Sequence, residues 1–216
     1  MPKRQAFFND LASPQRQAAL LIAQVGAMPT EIQLVTQVAE YDEAVQGLRP
    51  IRTYVIRVNG VTEHRVMTLG MTVDDISIET DHPLLYQYTS PPAAMFFRGT
   101  PKDVNTLVLD IAQAHATTFQ GWRHFPQYLN VEQPLATLLE SGGGLLGQMP
   151  QPLADRLVPV LEHHGLEHKV MVGEPPVKPR FADSEAHRRS QPLSVLLMGE
   201  SYFISFMFSF DEMGKA

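Results

Sequence analysis

The sequence predicts a mixed α+β fold, mainly antiparallel sheet covered by helices. Three observations predict it. Asn59-Gly60 stands between the apolar-rich runs Ile51–Val58 and Val61–Leu69, a strong local sign of a β-hairpin. Near the C-terminus, Tyr202–Phe210 alternates an aromatic set with Phe203, Ser205, Met207 and Ser209, which is the period of a strand. Between these, Val104, Leu107, Val108, Ile111, His115 and Phe119 recur at helical spacing.

The elements follow in chain order. Ser13-Pro14 reads as a helix cap with a first-turn proline, so a helix is expected over 14–25, stopped by Gly26. Residues 31–41 fit both periods; the alternation of Ile32, Leu34, Thr36 and Val38 favours a strand over Glu31–Glu40, with a turn of helix at Asp42–Gln46. A hairpin spanning about 51–69 comes next, then a strand at Val73–Glu79 and a turn at Thr80–Pro83. Met95–Phe97 reads as a buried strand. Thr100-Pro101 with Asp103 in the first turn then opens the clearest helix, 101–120.

A short helix within Val131–Glu140 leads into Ser141-Gly142-Gly143-Gly144, read as a helix cap and mobile loop. Those glycines are followed by neither the lysine nor the hydroxyl of a phosphate loop, and they do not follow a strand. Leu153, Leu157, Val158 and Leu161 make an amphipathic helix over 152–164, and Glu167–Val172 reads as a strand. The Pro-rich, charged stretch 173–192 is expected to be a long flexible loop, followed by a hairpin over 193–210.

With 216 residues, 44% of them hydrophobic and 19% charged, the chain fits one domain over 1–216. A net charge of −6 speaks against nucleic acid as the main partner. A nucleic-acid surface would need Arg49, Arg52, Arg57, Arg65 and Arg98 on one face. Without cysteine the chain has no disulfide, thiolate nucleophile or cysteine metal site, which fits a cytoplasmic protein. The N-terminus lacks a secretory pattern and no run reaches the length of a membrane span. His163, His164 and His168 lack the H-E-x-x-H spacing, so no metal is expected, and no cofactor motif occurs.

The candidate site residues lie around the central helix. His115 falls on its apolar stripe, and His124 follows the only tryptophan, Trp122. Asp81 and His82 are neighbours in a turn, near Tyr86 and Tyr88, and Phe125 completes the aromatic group. In a pocket, His115 would act as base or ligand and Trp122 would stack on an aromatic ligand. The absence of any nucleophile motif favours a different reading: a non-enzymatic binding or assembly protein acting as a homodimer or other oligomer. Its contacts would come from the apolar strand 202–210 and the loop 173–192, meeting a protein partner or a second copy. The alternative is a small-ligand-binding protein or enzyme with a His/aromatic pocket between the sheet and helix 101–120.

Overall fold

A computed structural model of the chain describes residues 2–67, 69–73, 75–176 and 192–213. The fold is mixed α+β, and its named strands pair in antiparallel sheets. Contacts gather in two compact units: Met1–Asp81 with Ala186–Ala216, and His82–Glu185.

The first unit contains α1 (Pro2–Leu11), β1 (Arg16–Val25), β2 (Glu31–Asp42), β3 (Gly47–Asn59), β4 (Glu63–Arg65), β5 (Thr72–Val73) and β6 (Ile76–Glu79). The second contains a 3-10 turn at Pro83–Leu85, α2 (Tyr86–Thr89), β7 (Pro92–Arg98), α3 (Val104–Phe119), α4 (Leu135–Glu140), β8 (Gly143–Pro150), α5 (Gln151–His163) and β9 (Glu167–Val172). The chain returns to the first unit with β10 (Ser194–Met198), β11 (Ser201–Ser205) and β12 (Met207–Glu212). Among the described residues no helix is long and apolar enough to cross a membrane.

In the first unit one sheet runs β12-β3-β2-β1-β5 and another β4-β11-β10-β6. Alternate residues of both face one buried cluster, which takes in Leu34, Val38, Ile56 and Val58 from one sheet and Leu196, Met198 and Phe203 from the other. Phe7 of α1 joins the same cluster.

The alternation of Leu34, Thr36 and Val38 holds along β2, all three being buried. The expected helix over 14–25 is instead strand β1. Ser13-Pro14 forms a turn, with the Arg16 N–H donating to the Ser13 carbonyl at 3.0 Å, and does not cap a helix. Residues 16–25 then pair with β2 along their whole length, with a register shift between Leu20 and Ile22. That bulge breaks the period of two in the sequence, and tertiary pairing decides the outcome.

The expected hairpin over 51–69 does not form either. Asn59-Gly60 turns the chain out of its sheet: β3 pairs with β2 and β12, whereas β4 pairs with β11. The Val61 N–H donates to Thr30 O and the Thr62 N–H to Ile204 O, both at 2.9 Å, and these bonds hold the crossing. Val73–Glu79 likewise divides between β5 and β6, in different sheets. In the C-terminal stretch, β10 and β11 do form a hairpin around Gly199-Glu200. The chain then bends at Phe206, so Tyr202–Phe210 is two strands in two sheets.

In the second unit the sheet order is β8-β7-β9. Helix α3 starts at Val104, not at Pro101. Asp103 caps it, its Oδ1 accepting from Asn105 N–H and Thr106 N–H at 2.9 and 3.1 Å. Leu107 and Ile111 of α3, Leu153, Leu157 and Leu161 of α5, and Met95 and Phe97 of β7 share one buried cluster. Each such leucine removed from water is worth roughly 2 kcal/mol.

Gly143 and Gly144, expected in a mobile loop, are the first residues of β8 and pair with Arg98 and Phe97. Of the expected loop 173–192, residues 177–191 lie outside the described residues.

Candidate functional site

Two features of the fold are candidates, one in each unit. The first is the histidine–aromatic cluster of the second unit. His115 lies on the buried face of α3 and is 2% exposed. Its ring packs against Phe119 (4.9 Å between centroids), Phe125 (5.6 Å, edge to face) and Tyr128 (6.5 Å). Phe119 stacks on Tyr128 at 5.1 Å and meets Tyr86 at 6.3 Å. The Tyr128 hydroxyl donates to Gln87 Oε1 at 2.9 Å.

Tyr128 reaches this cluster because residues 129 and 130 are bound to β8. Leu129 bridges Gly147, and Asn130 N–H donates to Leu146 O at 2.8 Å. A side chain at Gly147 would collide with the Tyr128 carbonyl and the Leu129 backbone, so glycine is needed for this close approach.

His115 Nε2 is buried without a hydrogen-bond partner. Burial alone pushes the imidazole below its ordinary pKa, so the ring is held neutral. A general base needs a proton within reach and benefits from a group that orients it. The aromatic rings beside it are those of Phe119, Phe125 and Tyr128.

His82 belongs to a neighbouring group in the same unit. It is buried, and its Nδ1 accepts from Leu84 N–H at 3.2 Å, capping the 3-10 turn. Its ring meets Trp122 edge to face at 5.5 Å. Arg123 Nη2 donates to Leu84 O at 3.0 Å, fastening the same turn. The structure thus gathers His115 with Phe125 and Tyr86, and His82 with Trp122. His124 and Asp81 are exposed, and Tyr88 is half-buried. Phe119, read only as part of the apolar stripe of the helix, and Tyr128 and Gln87 were not among the expected site residues. For Tyr128 the usable signal lies in the pairing of Leu129 with Gly147, which no local pattern displays.

His164 and Asp110 tie α5 to α3 through a 2.7 Å contact between Nε2 and Oδ2. His168 stands 3.9 Å from Glu162. Among the described residues no group of three or more His, Asp or Glu side chains is arranged to hold a metal ion. The arginines of the nucleic-acid reading do not gather: Arg52 pairs with Asp10 and Glu212, Arg57 pairs with Asp211, and Arg65 stands in the other sheet.

The second feature is the outer edge of β1 in the first unit. One edge of β1 is paired with β2 throughout. On the other edge Ala18 and Ala19 pair with β5, and Leu20 bridges Leu69. Among the described residues nothing pairs with Leu21–Val25 on that side. Leu21, Ile22 and Val25 are exposed, Val25 by 82%. Met28, at the next turn, and Met67, Leu69 and Met71, in the segment beside Leu20, are exposed as well. No charged residue occurs from 17 to 30. Of the expected contact strand 202–210, Tyr202–Ile204 are paired on both sides and buried, whereas the continuation β12 is the outermost strand of its sheet, paired with β3 alone, with Met207 exposed.

Comparison of the chain with protein-family models, with curated proteins and with solved structures finds no match.

Proposed function

We propose that this chain is a non-enzymatic binding or assembly protein that acts in the cytoplasm as an oligomer. The observation that carries the reading is the open, uncharged edge of β1 with its exposed aliphatic rim. Exposed strand edges without guarding charges pair with other strands, and contiguous apolar surface of this kind marks contact sites. Methionines at the rim suit a contact surface because the thioether chain adapts to its neighbour. The surface differs from the one the sequence points to, but the class of function is the same. Sedimentation of the full chain over a concentration series tests it. The expected result is a reversible oligomer; a chain that sediments only as a monomer and captures no protein overturns it.

A second reading is a small-ligand binder built on the histidine–aromatic cluster. It is favoured by one observation, the partnerless His115 Nε2. A buried polar atom without a partner forgoes about 1–3 kcal/mol, which a ligand donor at that atom would recover. A thermal-shift screen of metabolites separates the readings, because a ligand of the native state raises the melting temperature by mass action. Stabilisation lost in His115→Leu would favour the ligand binder.

A further inference from the structure

We infer that Asn59 is a site of spontaneous deamidation, and that its products loosen the crossing of the chain between the two sheets of the first unit. The site lies apart from the contact surface proposed above and does not depend on it.

The reaction needs an asparagine whose carboxamide can meet the next backbone nitrogen. The chain has four asparagines. Asn9 lies within α1, where the following N–H is directed along the helix, and its Oδ1 accepts from Gln5 Nε2 at 2.9 Å. Asn105 lies in the first turn of α3, and the nitrogen after it donates to the Asp103 carboxylate at 3.1 Å. Asn130 is tied at both ends of its carboxamide. Its Nδ2 donates to Leu145 O at 3.2 Å, and its Oδ1 accepts from Glu132 N–H at 3.0 Å.

Asn59 differs on every count. Among the described residues its carboxamide has no hydrogen-bond partner. Gly60 follows it, with no side chain to shield the nitrogen and with φ of 69° where the chain leaves the sheet. Both ladders of β3 end at Asn59, which pairs with Glu31 on one side and Met207 on the other. Strand ends open without the rest of the sheet, so local fraying brings the carboxamide to the nitrogen.

The Gly60 nitrogen then attacks Asn59 Cγ. A bond forms between them, the bond from Cγ to Nδ2 breaks, and ammonia leaves with the proton of the Gly60 nitrogen. Water opens the resulting succinimide at one of its two carbonyls, giving aspartate or isoaspartate. Nothing is oxidised or reduced.

Either product places a new carboxylate at position 59. Glu31, opposite in register, is buried, and its carboxylate accepts from Met28 N–H at 3.2 Å and Gln33 Nε2 at 3.0 Å. Like charges directly opposite across two strands are destabilising. Isoaspartate also routes the main chain through the former side chain and lengthens it by a methylene. The bonds from Val61 N–H to Thr30 O and from Thr62 N–H to Ile204 O hold the crossing just beyond this point. They are the bonds that the longer chain displaces.

The full-length protein is aged at mildly alkaline pH and digested with trypsin. Cleavage after Arg57 and Arg65 releases residues 58–65, which contain one asparagine and no glutamine. That peptide is expected to gain the mass of an NH2 group exchanged for OH before any peptide holding Asn9, Asn105 or Asn130. It should split into two chromatographic forms, one of them a substrate of isoaspartate methyltransferase. Asn59→Gln, whose ring closure is far slower, should keep its mass. The aged protein, separated by anion exchange, should lose hydrogen-exchange protection at Val61 and Thr62, and Asn59→Asp should melt at a lower temperature. If Asn59→Asp does not fold, the aged wild-type chain supplies the comparison. A 58–65 peptide that keeps its mass while the chain unfolded in urea deamidates there, or that lags behind another asparagine, overturns the site. Deamidation with unchanged protection at Val61 and Thr62 overturns the loosening.

Discussion

The Tyr54 hydroxyl donates a 2.6 Å hydrogen bond to Asp10 Oδ2, joining β3 to the end of α1. The same oxygen accepts from Arg52 at 3.0 Å, and Arg16 stands 3.8 Å from the other. Tyr54 is fully buried, and its ring meets Phe7 edge to face at 5.0 Å. Burial, and then the bond to Asp10, push the phenol above its ordinary pKa, so it stays a donor throughout the physiological range. Tyr54→Phe keeps the ring packing and removes only the donor. A hydrogen bond to a charged acceptor contributes about 1.5–3 kcal/mol, so a loss of about 2 kcal/mol in urea unfolding is expected. Hydrogen exchange should show α1 opening more readily, since the bond that joins its end to β3 through Tyr54 is gone and only the Arg52 and Arg16 contacts still hold Asp10.

Acid should act on the second unit through His115. Its folded pKa lies below the unfolded value of about 6.5, because burial disfavours the charged ring. The unfolded chain therefore binds the proton more readily. This contribution to stability is complete above the unfolded value and is lost as pH falls through the lower, folded one. His115→Leu should flatten that part of the melting-temperature profile and raise the melting temperature, since an orphaned polar atom is replaced by an apolar one. An unchanged slope in the variant would place the acid sensitivity elsewhere.

Gly147→Ala should be among the most damaging small substitutions in the second unit. The new methyl meets the backbone of Tyr128 and Leu129, which cannot swing aside as a side chain can. Overpacking of this kind costs about 1–3 kcal/mol or more. The displaced segment also carries Tyr128 away from Phe119 and His115. The expected readout is a lowered melt together with a changed near-UV tyrosine signal. Gly121→Ala makes a useful contrast, as its added methyl meets nothing within 4 Å and is opposed only by the positive φ of 81°.

What was legible follows from the range of the interactions. Helices α3 and α5 were visible because their signals are local: apolar residues at 104, 107, 108 and 111 and leucines at 153, 157 and 161, although the cap of α3 is Asp103 and not, as expected, Thr100. Strand β2 was visible through Leu34, Thr36 and Val38. Strand β1 was not, because Leu20-Leu21-Ile22 suits either structure and the bulge hides its period. Asn59-Gly60 signals a turn and does turn the chain, but which strands flank it in space depends on β12, about 150 residues later. His115 could be placed on a covered face from spacing alone. Its neighbours Phe125 and Tyr128 come from beyond the helix, and the open edge at Leu21–Val25 exists only once β1 is known to be a strand.

Thr30, at the end of the turn between β1 and β2, has φ of 60°. A β-branched residue in that left-handed region is strained by roughly 1–2 kcal/mol, while asparagine tolerates it. The Thr30 carbonyl accepts from Val61 N–H, so the backbone here is held by the crossing between strands and does not relax. The hydroxyl bonds only to the adjacent Pro29 carbonyl, at 2.6 Å on the exposed surface, and little is lost with it. Thr30→Asn should therefore stabilise the first unit by about 0.5–1 kcal/mol. Thr30→Gly should gain less, because the unfolded chain becomes more flexible. Denaturant titrations of the two variants give the comparison; a destabilised Thr30→Asn would mean that the threonine methyl packs in a way that outweighs the strain.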